Sequence, residues 1–257
     1  HSRVREYRAG LPVVSTVTAG KEELRPMFFA GYGHFDDVIR DIPYFPAIGA
    51  NLIQFETGPR YFLKKRGENG SFSADPGEFY NRIEPALKAA CANHVKVALL
   101  LSPHYHPEWW LEDHPELKRG NGLTHYEVNA PESREMLSAY LDCLLPLLRD
   151  TPHRNGLHSI VLANEPNYSG AIWSNPMTRK LFREWCEERY GEIAGFNRIS
   201  GRNFRNFEEL AGTDPAENPA VRYEFEQFRR CSFADFHRFL AEKVKQYMPD
   251  MPVHVTR

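Results

Sequence analysis

The sequence predicts an α/β chain folded as the N-terminal portion of a (β/α)8 TIM barrel, about five strands long. Three observations predict it. Short apolar runs alternate with amphipathic helical stretches, which implies βαβ units and a parallel sheet with right-handed crossovers. Polar residues close the runs in turn: His34, Glu56, His104, then Asn164 with Glu165. Polar groups converging at successive strand ends are how barrels assemble a site. The rival, a doubly wound dinucleotide sheet, lacks its fingerprint, because Gly31-Tyr32-Gly33 has no third glycine opening a helix.

Residues 1–25 carry the β-prone run Val13–Thr18 and are expected as a linker, an edge strand or the tail of an upstream β domain. Residues 26–257 are expected as the barrel portion. Met27–Ala30 reads as the first strand, closed by Gly31-Tyr32-Gly33-His34. Phe35–Ile48 reads as a helix broken by Pro43 and Pro46. Ala50–Phe55 is the second strand, ending in Glu56, and a polar loop follows. A helix then starts at Asp75-Pro76, an N-cap with proline in the first helical position, and runs to about His94.

Val95–Leu101 is the third strand, followed by a long loop with Tyr105, His106, Trp109, Trp110 and His114. Glu132–Arg149 is helical, with Met136, Leu137, Tyr140, Leu141, Leu144, Leu145 and Leu148 on one side despite Pro146. Leu157–Ala163 is the fourth strand, an apolar run suited to burial on both faces. Asn175–Phe196 reads as helix, then an irregular segment runs to Pro219. Val221–Tyr247 is a long amphipathic helix whose Phe225, Phe228, Phe236, Phe239 and Val244 are core positions. Pro252–Arg257 opens a fifth strand. A full barrel takes about 250 residues, so loop insertions place the last three strands beyond Arg257.

Composition excludes several classes of function. Hydrophobic residues make up 42% of 257, and the formal net charge is −2. That balance gives no reason to expect nucleic acid or an anionic membrane as partner. No apolar run approaches the roughly 20 residues of a membrane helix. The chain opens on His1, which reads as an excerpt, so neither compartment nor oligomeric state is predicted. Cys91, Cys143, Cys186 and Cys231 are far apart, without a zinc or disulfide pattern, and are expected as buried thiols inside helices. Aromatic residues reach 13%, several of them outside periodic segments, which favours a ligand with flat apolar faces.

The most informative stretch is Leu157–Pro166, an apolar run stopping in Asn164-Glu165-Pro166. A carboxylate there is not core filler, because burying an unpaired charge is prohibitively costly. Glu165 is therefore the leading candidate for a catalytic acid/base. Retaining glycoside hydrolysis needs two carboxyl groups about 5–5.5 Å apart, one donating a proton and one attacking the anomeric carbon. The donor's pKa must rise above the free-Glu value of about 4.3. A strand end walled by aromatics and close to a second carboxylate supplies that. The Asn164 amide can hydrogen-bond a sugar hydroxyl beside the reacting carbon.

These residues resemble a known family. Leu162-Ala163-Asn164-Glu165-Pro166 is similar to the Asn-Glu-Pro signature that closes strand four in clan A glycoside hydrolases. Ser102-Pro103, His106-Pro107-Glu108-Trp109-Trp110 and His114-Pro115-Glu116-Leu117 resemble the strand-three loop of family 42 β-galactosidases. Phe182–Trp185, Arg189-Tyr190-Gly191 and Phe196-Asn197 resemble the helical region after strand four. The resemblance covers roughly residues 27–257. It implies a retaining β-galactosidase-like hydrolase with Glu165 as acid/base and Asn164 as 2-hydroxyl partner. It implies a nucleophile Glu at the end of strand seven, beyond Arg257, a glycoside substrate and no cofactor.

Other residues have plainer readings beside the functional one. His104, His106 and His34 are candidate sugar contacts. His104 and His106 also admit a metal-dependent barrel hydrolase, although Pro107 breaks the strand that would align them. Trp109 and Trp110, read as loop residues, offer an indole face for a sugar, with one of the pair expected to be buried. Glu56 either binds a hydroxyl or pairs with an arginine such as Arg60. A non-catalytic carbohydrate-binding barrel is the other alternative, and the residue at the end of strand seven decides it.

Overall fold

A computed structural model of the chain describes residues 3–8, 11–18, 21–33, 37–67, 71–119, 125–166 and 173–256. Three antiparallel strands open it: β1 (Arg3–Arg8), β2 (Leu11–Thr18) and β3 (Lys21–Pro26). β2 is the central strand of this sheet rather than an edge, and Val13 and Val14 are fully buried. Five further strands run parallel: β4 (Gly31–Gly33), β5 (Leu52–Glu56), β8 (Lys96–Leu100), β9 (Leu157–Asn164) and β10 (Val253–Thr256). Their spatial order is β10–β9–β8–β5–β4.

The first parallel strand departs from expectation. Met27–Ala30 forms no strand, and Phe28 is 74% exposed. Gly31–Gly33, expected as the closing turn, instead pairs with Leu52–Gln54. Close approach is the reason: a Cβ on Gly31 would sit 2.9 Å from the Leu52 carbonyl oxygen. The expected helix over 35–48 is reduced to two 3-10 turns, Asp37–Ile39 and Phe45–Ile48. Proline at 43 and 46 removes the donors that a longer helix needs.

Alternation along the strands separates two faces. Ile53 and Phe55 of β5, Val97 and Leu99 of β8, and Ile160 and Leu162 of β9 join the main core. Leu52, Ala98, Leu100 and Val161 form a separate small cluster on the opposite face. The main core is sealed by α2 (Glu84–Ala92), α4 (Pro131–Asp150) and α8 (Pro219–Tyr247). All seven residues of the expected α4 stripe are buried, and Arg134 sits over the ring of Phe239, the partly buried member of the α8 set.

The polar loop after β5 has structure of its own, a single helical turn α1 (Pro59–Phe62) and a hairpin of β6 (Leu63–Lys65) and β7 (Phe72–Ala74). The loop after β8 contains α3 (Glu108–Asp113). Beyond β9, α5 (Pro176–Tyr190), α6 (Ile193–Ser200) and α7 (Phe207–Gly212) occupy ground read partly as irregular. Asn175, Asn206 and Asn218 cap α5, α7 and α8 through their side-chain oxygens. Of the four thiols, only Cys186 is fully buried; Cys91 and Cys143 are half-buried and Cys231 is exposed, because their helices lie at the surface.

The two ends of the parallel sheet differ in character. At the N-terminal ends of β8 and β9, Val14 and Phe29 share a cavity of about 260 Å³ with Lys96, Arg154, His158 and Pro252. Burial pushes His158 down to about 4 and Lys96 down to about 8. That end of a barrel serves stability, whereas the C-terminal ends carry chemistry.

Candidate active site

Parallel strands bring their C-terminal ends to one edge, and the residues there share a register. Leu52, Gln54 and Glu56 lie on one face of β5, and Ala98, Leu100 and Ser102 follow the same alternation along β8. Glu56 and Ser102 consequently meet. The buried Glu56 carboxylate accepts hydrogen bonds from the Ser102 hydroxyl at 2.7 Å and the Tyr105 hydroxyl at 3.0 Å. Arg82 donates to the Glu56 backbone carbonyl and pairs with Glu78 at 2.6 Å. Glu56 is thus not paired with Arg60; two internal donors hold its carboxylate.

That clamp shapes the loop after β8. Ser102 has a left-handed backbone, φ 39°, and Tyr105 donates its backbone N–H to the Ser102 carbonyl at 3.0 Å. Gly58, in extended conformation, lets the loop pack: a Cβ there would lie 2.8 Å from Tyr105 Cβ and 2.9 Å from the Ser102 oxygen. Gly58→Ala is expected to cost about 1–3 kcal/mol by overpacking. A lower urea midpoint with unchanged m-value is the check.

His104 and His106 leave this loop half-buried. Burial first, then the charges of His125, Arg60 and His106, push His104 down to about 4. Burial also pushes His106 down, against a raising contact with the Pro107 carbonyl, 3.1 Å from its Nδ1. Burial thus favours the neutral imidazole at both, and the His106 Nδ1–H donates to the Pro107 carbonyl, which leaves its Nε2 as an acceptor for a polar ligand. Tyr105 is pushed up to about 12 by burial and by its bond to Glu56.

Trp109 and Trp110 lie in α3, not in an irregular loop. Trp110 is 1% exposed, packed 5.1 Å from His114, 5.3 Å from Tyr126 and 6.3 Å from His106 between ring centroids. It offers no open indole face and instead supports the ring of His106. Trp109 is half-buried, 6.2 Å from Phe72, with the Lys65 ammonium 5.9 Å from its ring. The Tyr126 hydroxyl donates to the Pro103 carbonyl at 2.8 Å, fastening the far side of the excursion to the strand end.

Asn164 closes β9 and Glu165 follows it, exposed, with φ 40°. A left-handed non-glycine residue costs about 1–2 kcal/mol, and the following Pro166 narrows its choices further. Among the described residues only His94, Ser102 and Glu165 are non-glycines with positive φ, and two of these lie at the C-terminal ends of adjacent strands. Such strain clusters at functional sites. His34 lies outside the described residues.

A buried polar group missed in the sequence supports the excursion from behind. Glu127, fully buried, accepts a hydrogen bond from Thr178 at 2.7 Å and lies 3.8 Å from the Arg119 guanidinium. Asn175 caps α5 and donates to the carbonyls of Glu116 and Lys118, both at 2.9 Å. The β8 excursion and α5 are thereby locked together.

Residues 75–256 match the model of glycoside hydrolase family 42, described as beta-galactosidase. The chain belongs to this family. A beta-galactosidase of an Arthrobacter species is 26% identical over 175 residues, covering 62% of this chain and 25% of that protein. Among solved structures, the beta-galactosidase of Halorubrum lacusprofundi superposes with a TM-score of 0.72 at 18% identity, over 88% of this chain and 36% of that one. A family 42 exo-carrageenase from Bacteroides ovatus gives a TM-score of 0.65 at 19% identity, over 93% and 32%. The chain therefore spans about a quarter to a third of the length of these relatives. At such identities the structural likeness shows the fold, and the five parallel strands are part of a TIM barrel.

Proposed function

We propose that this chain supplies the acid/base side of a retaining β-glycosidase site in a family 42 enzyme that cleaves a β-galactoside-type bond. The observation that carries this reading is Glu165: an exposed carboxyl group in a strained left-handed conformation directly at the C-terminal end of a barrel strand. Glu165 donates its proton to the departing oxygen as a carboxylate on another strand attacks the anomeric carbon and the C1–O bond breaks. It then takes a proton from the water that attacks C1, and the glycosyl–enzyme ester is released.

Glu56 does not fit the nucleophile. β5 lies two strand spacings from β9, roughly 10 Å, against the 5–5.5 Å that retention requires, and both its oxygens are engaged. The nucleophile is assigned to a strand outside the 257 residues. Asn164 binds the 2-hydroxyl, where contacts that tighten in the transition state contribute most. His104, His106 and Trp109 line the sugar site. Trp110 and Glu56 act indirectly, holding His106 and the β8 loop. The substrate is a glycoside or oligosaccharide, and the mechanism calls for no cofactor.

Proton NMR of an aryl β-galactoside hydrolysed by the full-length protein tests the reading. The β-anomer of the sugar is expected to appear first and then mutarotate. First appearance of the α-anomer, or no turnover across a panel of aryl β-glycosides, overturns it.

A further inference from the structure

We propose that Arg60 is the centre of a subsite for an anionic substituent, a sulfate ester or a carboxylate, on the glycan bound at the strand ends. The proposal rests on the carbohydrate reading above and names the substrate class more closely. Arg60 stands four residues past Glu56 in α1, and its backbone N–H donates to the Tyr105 carbonyl at 2.8 Å. Its guanidinium carbon lies 4.2 Å from the centroid of the Tyr105 ring and 4.7 Å from that of Tyr61. One N–H group donates to the Tyr61 hydroxyl at 2.5 Å.

Among the described residues the cation has no acid of its own. Arg40, Arg82, Arg149, Arg183, Arg205, Arg229 and Arg238 all have a carboxylate oxygen within 3.1 Å. Among the described residues no carboxylate lies within 4.0 Å of Arg60, although it is exposed and carries five donors. Glu56, the acid closest to it in the chain, is taken by Ser102 and Tyr105.

Arg60 also shares its surroundings with the candidate sugar contacts, since the Tyr105 ring on which it stacks lies 4.2 Å from the His104 ring between centroids. A guanidinium stacked against two phenol rings is held in place before any ligand arrives, so less rotamer freedom is lost on binding. Its planar fork then matches two oxygens of a sulfate or carboxylate, which a neutral hydroxyl does not use.

Calorimetry on the full-length Glu165→Gln protein, which separates binding from turnover, tests this with matched neutral, sulfated and uronate-containing galacto-oligosaccharides. Binding of at least one anionic series about tenfold or more tighter than the neutral one is expected. Arg60→Gln should collapse that ratio toward one, and Arg60→Lys should leave part of it. Preference for the sulfated series alone assigns a sulfate ester, and preference for the uronate series alone assigns a carboxylate. Equal affinity for all three, no binding at all, or a preference that survives Arg60→Gln overturns the proposal. Arg60-dependent anion binding by a protein without glycosidase activity would keep this subsite and sink the hydrolase reading. Turnover of neutral galactosides with no anion preference would do the reverse.

Discussion

Glu165→Gly in the full-length protein is expected to lose roughly 10²–10⁴-fold in turnover of an unactivated β-galactoside, while melting at the same temperature or a few degrees higher. The two halves of this prediction come from one observation. Glu165 occupies a left-handed conformation, φ 40°, ahead of a proline. Glycine adopts that conformation freely, so it removes about 1 kcal/mol of strain, set against the greater entropy that it gives the unfolded chain. In a domain of this size 1 kcal/mol corresponds to about 2–4 °C. A side chain kept for stability would show the opposite pattern, with activity and melting temperature falling together. Glu165→Ala adds a chemical readout. With an activated aryl glycoside the first step survives without an acid, and azide, which needs no general base, is expected to restore turnover as a glycosyl azide. Full activity in either variant ends the assignment.

The second large effect is structural. Glu127→Ala is expected to destabilise the protein by about 3–5 kcal/mol, because it removes the carboxylate that lies 3.8 Å from the buried Arg119 guanidinium. Thr178 loses its acceptor in the same step. The matched pair Glu127→Leu with Arg119→Met removes both charges and is expected to recover most of the loss, since apolar replacements of buried ion pairs are often neutral. Urea unfolding of the parent protein and the two variants measures this. Equal destabilisation by the single and double variants would falsify the role given to the pair. In an active protein the single variant should also weaken substrate binding, because Glu127 and Asn175 lock the β8 excursion that carries His104 and His106.

The legible parts of the fold are those written in local periodicity. β5, β8, β9 and the helices α4 and α8 lie within a few residues of their expected limits, since one apolar run or stripe specifies each. The first parallel strand was misplaced because its pairing depends on how near Gly31 comes to Leu52, a contact made 21 residues away. Trp109 and Trp110 read as loop residues because a six-residue helix is too short for a periodic signal. In the candidate site, Glu165 and Asn164 were legible as polar residues ending an apolar run. The Glu56 clamp was not, since its donors come 46 and 49 residues later and nothing local marks them. Ser102-Pro103 at a strand end was the one available hint.

By itself the sequence determined the alternation of strands and helices, the strand ends at which polar groups collect, and Glu165 as the acid worth testing. These follow from short-range pattern and from the cost of placing an unpaired charge beside a buried strand. Only the tertiary structure decided which polar groups stay exposed at the strand ends and which are held by internal hydrogen bonds. Glu56 and Trp110 are buried, and among the described residues Arg60 has aromatic faces beside it and no acid. The reason is that hydrogen bonds and ion pairs are satisfied between side chains brought together from distant parts of the chain, and their partners are set by packing rather than by neighbours in sequence.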